Sequence, residues 1–165
     1  AIPHAAVDGI VRAMRRRGVA PVIVSVHSFT HAWKGVPRPW HAGILWDRDD
    51  RLPSRLIEGL RADPALVVGD NQPYSGQLEG DCLYQHATSH GLAHALIEIR
   101  QDLITSESGQ NLWAERLSSL LEDIWAEAMA SELFRPIEPL RLGPAASHMS
   151  GMSSMQSQQP ASTSV

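Results

Sequence analysis

The chain has 165 residues, 43% of them hydrophobic and 19% charged, with a formal net charge of −4. That balance allows one packed domain and excludes wholesale disorder, and with no broad basic stripe it leaves no nucleic-acid surface. No run approaches the roughly 20 apolar residues of a membrane span and no signal peptide is visible, while the single cysteine, Cys82, excludes an intrachain disulfide and agrees with a reducing, cytoplasmic setting.

The chain opens without methionine at Ala1-Ile2-Pro3-His4 and runs at once into a helical pattern. This reads as a chain cut inside a larger domain, or a fragmentary reading frame. Val7, Ile10, Val11 and Met14 predict a helix over 4–17, stopped at Gly18. Arg15, Arg16 and Arg17 lie at its end, where cations suit the helix dipole and are solvated. A strand is expected over 21–26, followed by a Gly-, Pro- and Trp-rich loop from His27 to Arg38. A second strand covers 42–46, and Pro53, in a first turn, opens a helix reaching Ala62. A short strand, Leu66 to Val68, gives way to a loop from Gly69 to Gly76. His86 to Leu92 has room for a helical turn, and a strand follows over 94–99. An amphipathic helix over 109–130 carries Leu112, Leu117, Leu120, Leu121, Ile124 and Trp125 mostly on one side.

Alternating strands and helices predict an α/β fold, a three-layer sandwich around a mostly parallel or mixed sheet. The domain is expected to occupy 1–135. Residues 136–165 turn to Ser, Gln, Pro and Met without a period and read as a disordered low-complexity tail, in which His148 and the methionines carry no signal.

Two apolar runs deliver reactive side chains. Val22-Ile23-Val24-Ser25-Val26 leads into His27, and Ala95-Leu96-Ile97-Glu98-Ile99 carries Glu98, followed by Arg100 and Asp102. Chemistry in open α/β sheets collects at the carboxyl ends of such strands. Glu98 points opposite Ile97 and Ile99 on an alternating strand, and an acid among aliphatics needs a reason. A hydrolytic zinc site needs about three protein ligands, an open position for water and a nearby carboxylate. His27 can supply one imidazole and Glu98 the carboxylate. Arg38, Arg100 and Asn71 can hold an anionic substrate, and Tyr74 can donate to an oxyanion. His41 and His86 are further pocket candidates.

Each candidate also has a structural reading. His27 can be a core histidine bonded to backbone, and Glu98 an ion-pair partner of Arg100. Arg38 can pin its loop, Asn71 suits a turn before Pro73, and His41 with Trp40 can be loop packing. No His-Glu-x-x-His or similar helical pair occurs. His86, His90 and His94 are spaced by four, but Gly91 and the expected strand at His94 break a helical stack. Cys82 shows no basic neighbour that would make it a nucleophile.

Four blocks carry a resemblance. They are Ser25-Val26-His27-Ser28-Phe29-Thr30, then Gly35-Val36-Pro37-Arg38-Pro39-Trp40-His41-Ala42-Gly43-Ile44-Leu45-Trp46, then Val68-Gly69-Asp70-Asn71-Gln72-Pro73-Tyr74-Ser75-Gly76, and last His94 to Ile104 with Ile97-Glu98-Ile99-Arg100-Gln101-Asp102 at its centre. In this order they resemble the N-formylglutamate amidohydrolase (deformylase) family over roughly 4–130. The resemblance implies a fold similar to zinc carboxypeptidases (phosphorylase/hydrolase-like), incomplete at the amino terminus. It implies His27 as the last zinc ligand and Glu98 as the catalytic carboxylate. It further implies hydrolysis of N-formyl-L-glutamate to formate and glutamate, as in histidine degradation, with Arg38 and Arg100 on the substrate carboxylates. Zn2+ is the expected cofactor, with its other ligands expected upstream of this chain. A small N-acyl amino acid is the expected partner, with no nucleic acid, no membrane and no particular oligomeric state.

Two positions depart from the family pattern, with His31 where it usually has Pro and Gln72 where it often has Glu. Two alternatives remain open. One is a catalytically incomplete remnant that binds a small acid, and the other is a carboxypeptidase-like hydrolase.

Overall fold

The computed structural model describes residues 4–76 and 82–138. Helix α1 (His4–Arg16) leads to strand β1 (Ile23–Phe29), a small hairpin of β2 (Ala32–Trp33) and β3 (Val36–Pro37), and strand β4 (Ala42–Leu45). Helix α2 (Arg51–Arg61), strand β5 (Val68–Asp70), the short helix α3 (Cys82–His86), strand β6 (His94–Arg100) and the long helix α4 (Glu107–Ser131) complete the order.

The main sheet runs β1-β6-β4-β5. β1 pairs parallel with β6, β4 parallel with β5, and β4 antiparallel with β6. The sheet is therefore mixed and mostly parallel, as expected. Alternation along β6 splits its side chains between two layers. Ala95, Ile97 and Ile99 join Ala42, Ile44 and Val68 in the main core against α2 and α4, through Leu52, Leu56, Leu60, Trp113, Leu117 and Ile124. On the opposite face Leu96 packs with Leu45, Leu83 of α3 and Tyr74. Val11 of α1 closes on Ala87 and Leu92. Each fully buried Leu or Ile in these layers contributes about 1.5–3 kcal/mol relative to exposure.

Several element ends differ from the sequence reading. β1 runs on to Phe29, so His27 lies inside the strand and not after it. Pairing with β6 along the whole of 23–29 carries the strand past the apolar run. The expected loop 27–38 contains the β2–β3 hairpin, whose turn residues Lys34 and Gly35 both have positive φ, 49° and 79°. Two-residue strands have no period to detect, and this left-handed pair suits a tight hairpin turn. The expected strand 66–68 is shifted to Val68–Asp70 by its register with Ala42–Ile44. In α4 the buried stripe is Trp113, Leu117, Ile124 and Ala128, while Leu112 and Trp125 are 54% and 52% exposed. The expected tail lies outside the described residues from 139 on. Among the described residues no helix is long and apolar enough to cross a membrane.

Candidate active site

Glu98 sits in the middle strand of a row that crosses the sheet. Its register partner in β1 is His27, and in β4 it is Gly43, itself opposite Gly69 of β5. Register partners project to one face. His27, Glu98 and the two glycines therefore share the face away from the α2/α4 core.

The glycines are required by what lies above them. A Cβ on Gly43 would stand 1.9 Å from the carbonyl oxygen of Gln72, and one on Gly69 would stand 2.7 Å from Gln72 Cβ. The Gln72–Pro73 turn, joined by a cis peptide bond, thus rests directly on the sheet beside Glu98. Asn71 shapes that turn. Its φ is +50°, which Asn tolerates better than most residues, and its Oδ1 accepts from Trp46 N at 2.9 Å and Gly76 N at 3.0 Å. The amide is occupied in ordering the loop.

Glu98 is only 4% exposed, and its Oε2 is buried without a hydrogen-bond partner among the described residues. Burial pushes its carboxyl up from the ordinary 4.5 to about 7, with the positive charge of Arg38 opposing the rise. Such a carboxyl exists in both protonation forms near neutral pH and is suited to accept and return a proton. The ion pair with Arg100 that the sequence allowed does not form, because Arg100 turns to Asp102.

Arg38 enters from the segment after the hairpin. Its Nη1 donates to Tyr74 Oη at 3.0 Å and to Thr30 Oγ1 at 3.2 Å. Its guanidinium carbon lies 5.0 Å from the Tyr74 ring centre and 5.8 Å from those of Phe29 and Trp33. Aromatic faces stabilise a partly buried cation without neutralising it. Among the described residues Arg38 forms no ion pair, so its charge is available to an anion.

Tyr74 packs on Leu45, Leu83 and Leu96 and meets Arg38 through its hydroxyl oxygen. The fold thus brings His27, Glu98, Arg38 and Tyr74 to one face. The remaining candidates are placed differently. Arg100 pairs with Asp102, Nε to Oδ1 at 2.7 Å and Nη2 to Oδ2 at 3.2 Å. Its Nη1 faces the carbonyls of Arg38, Pro39 and Trp40 at 3.3–3.5 Å. The bond from Arg100 holds the Asp102 carboxyl below its ordinary value. His41 Nδ1 accepts from Val67 N at 2.8 Å, which ties the start of β4 to the approach to β5.

His86 is buried at the end of α3, its Nε2 3.3 Å from Nδ1 of His4. His90 Nδ1 accepts from Arg15 at 3.0 Å, and burial together with Arg15 holds its pKa below the ordinary value. His94 Nδ1 bonds the Leu92 carbonyl at 2.8 Å while Nε2 meets the Thr88 hydroxyl at 3.1 Å. The three histidines spaced by four therefore share no partner.

Sequence reasoning missed Phe29, Trp33 and Thr30 as the setting of Arg38. The signal was available in their density around one arginine, but the fold-back of the hairpin that assembles them was not.

Zinc chemistry asks for about three donors. His27 fits as one, since among the described residues its ring nitrogens have no hydrogen-bond partner and it is the cross-strand register partner of Glu98. Among the described residues no three His, Cys, Asp or Glu side chains group as a metal site. These residues alone do not complete one.

Comparison with known proteins agrees with the geometry. No curated protein matches the chain. A solved structure, that of gene product Atu2144 from Agrobacterium tumefaciens, is 32% identical, with a TM-score of 0.70 over 76% of this chain and 50% of its own. The chain thus spans about half the length of that relative. The family model for N-formylglutamate amidohydrolase matches residues 4–105, a stretch that includes His27, Arg38, Tyr74 and Glu98. The chain belongs to the N-formylglutamate amidohydrolase family.

Proposed function

We propose that these residues form the proton-handling and anion-gripping side of an amidohydrolase site for N-formyl-L-glutamate or a related N-acyl acidic amino acid. The observation that carries the reading is the buried carboxyl of Glu98, its Oε2 without a hydrogen-bond partner among the described residues, cross-strand from His27 and with Arg38, which forms no ion pair among those residues, on the same face. The products would be formate and glutamate, in the cytoplasm and in the service of histidine degradation.

In this reading Arg38 pairs with a substrate carboxylate through its free N–H groups, held by the rings of Phe29, Trp33 and Tyr74. Glu98 takes a proton from the attacking water as the new C–O bond forms at the formyl carbon. It returns that proton to the amide nitrogen as the C–N bond breaks. Zn2+ is the cofactor we assign, and when bound such an ion polarises a carbonyl and acidifies water. His27 would be one of its ligands, and the other donors would come from residues other than those described.

A second reading is favoured by the lack of a three-donor group among the described residues. In it the chain binds a small acid at Arg38 without turning it over.

Formate release separates the possibilities. Zinc-supplemented protein is offered N-formyl-L-glutamate, N-formylglycine and a peptide ending in glutamate. Preferential release of formate from the first supports the amidohydrolase reading. Cleavage of the peptide instead would assign a carboxypeptidase-like activity, and binding of L-glutamate without turnover would favour the second reading.

A further inference from the structure

Arg100 holds main chain where a substrate-binding arginine would be expected to present free N–H groups. Its bidentate pairing with Asp102 fixes the guanidinium plane. One edge of that plane, Nη1, then receives the carbonyls of three successive residues, Arg38, Pro39 and Trp40. Each contact is long, but three carbonyls on one nitrogen mean that the segment curls around the cation. The Arg100 main-chain N–H adds a bond to His41 O at 3.0 Å. Arg38 N donates to His31 O at 2.8 Å, which ties the other end of the segment to the hairpin.

We propose that Arg100, braced by Asp102, is a positioning residue that sets Arg38 for its grip on the carboxylate of a small acidic ligand. The inference rests on the reading of Arg38 as the carboxylate anchor. Arg100 stands two residues beyond Glu98 on β6 and on the same face, so its Cα is roughly 7 Å away along the strand. One strand therefore presents the base directly and holds the anion grip at a fixed offset from it. Lysine cannot reproduce this brace, because a single ammonium cannot grip Asp102 with two parallel bonds and hold the carbonyls with a planar edge.

The test is a double-substitution cycle read by calorimetric titration of L-glutamate into the whole chain. Arg38→Gln, Arg100→Gln and the pair are compared with the wild type. Each single change is expected to weaken binding roughly 10- to 100-fold, the size of a lost charged hydrogen-bond pair. In the Arg38→Gln background, Arg100→Gln is expected to cost nothing further. A merely structural Arg100 would lower the melting temperature and reduce affinity by the same factor in both backgrounds, which would overturn the proposal. So would wild-type affinity in Arg100→Gln. If Arg100→Gln fails to fold, Asp102→Asn leaves the guanidinium in place but unbraced. It is expected to give a smaller loss of the same sign, again absent in the Arg38→Gln background, and no loss would overturn the proposal. Undiminished binding in Arg38→Gln, or no binding by the wild type, would instead overturn the reading of Arg38 itself.

Discussion

His27 and Glu98 are direct cross-strand partners in the parallel β1–β6 ladder, so an imidazole and a carboxyl whose Oε2 has no hydrogen-bond partner among the described residues share one face of the sheet. The pairing places a candidate ligand and a candidate base side by side although 70 residues of sequence separate them. It also has a cost that can be measured. A carboxyl raised from 4.5 to about 7 binds more protons in the folded than in the unfolded chain between those values. Stability therefore falls as pH rises through that window, by up to about 3 kcal/mol, and levels off above it. Glu98→Gln removes the ionisation, so it should melt higher than wild type at pH 8 and nearly level with it at pH 5. Thermal melts at the two pH values check this, and a wild-type stability that rises from pH 5 to 7.5 more steeply than that of the variant would contradict it.

Arg38 should divide its effect unevenly between binding and chemistry. Arg38→Lys keeps a charge but loses the planar fork and the three ring contacts. For the proposed hydrolysis we expect KM to rise roughly 10-fold or more with a smaller change in kcat, as for a group that binds ground and transition states alike. Equal losses in kcat and kcat/KM would place Arg38 on the reacting atoms instead.

Gly43→Ala should displace the turn above it. The new methyl would meet the Gln72 carbonyl at 1.9 Å, and backbone must move to admit it. Overpacking of this kind costs about 1–3 kcal/mol. The substitution should lower the melting temperature and the activity together, because the turn borders Glu98. A melting temperature unchanged from wild type would contradict the close approach.

Asn71→Asp should be far milder than Asn71→Ala. The acid keeps an acceptor for Trp46 N and Gly76 N, whereas alanine leaves both N–H groups unbonded at a positive φ. We expect alanine to cost about 2–4 kcal/mol in denaturant unfolding, from two lost bonds and the strained backbone. Equal stability of the two variants would show that the side chain is not the organiser of the loop.

Much of this was legible in the sequence, and particular residues show where legibility ended. The aliphatic run around Glu98 marked both the strand and the odd acid within it, because period-two alternation is a local property. α2 was legible from Pro53 in its first turn. In α4 the sequence reading put Leu112 and Trp125 on the apolar side and did not name Trp113, which is the residue that is buried, since the exact stripe depends on the neighbours the helix meets. The pairing of β4 antiparallel to β6 was not encoded locally at all. Nor was the role of Arg100, whose side chain faces main-chain carbonyls, whereas the turn reading of Asn71 and the packing reading of His41 stood in the sequence beside their ligand readings, and both side chains hold main-chain groups. Residue type alone does not distinguish an arginine that grips substrate from one that grips carbonyls. Only the fold-back of the 38–41 segment onto β6 does.

The most direct test of the central claim is formate release from N-formyl-L-glutamate by zinc-supplemented wild-type protein and by Glu98→Gln. The expected result is a fall in kcat of roughly 10²- to 10⁴-fold, the usual contribution of a positioned proton-transfer group, with the fold intact. Turnover near the wild-type rate in Glu98→Gln would contradict it.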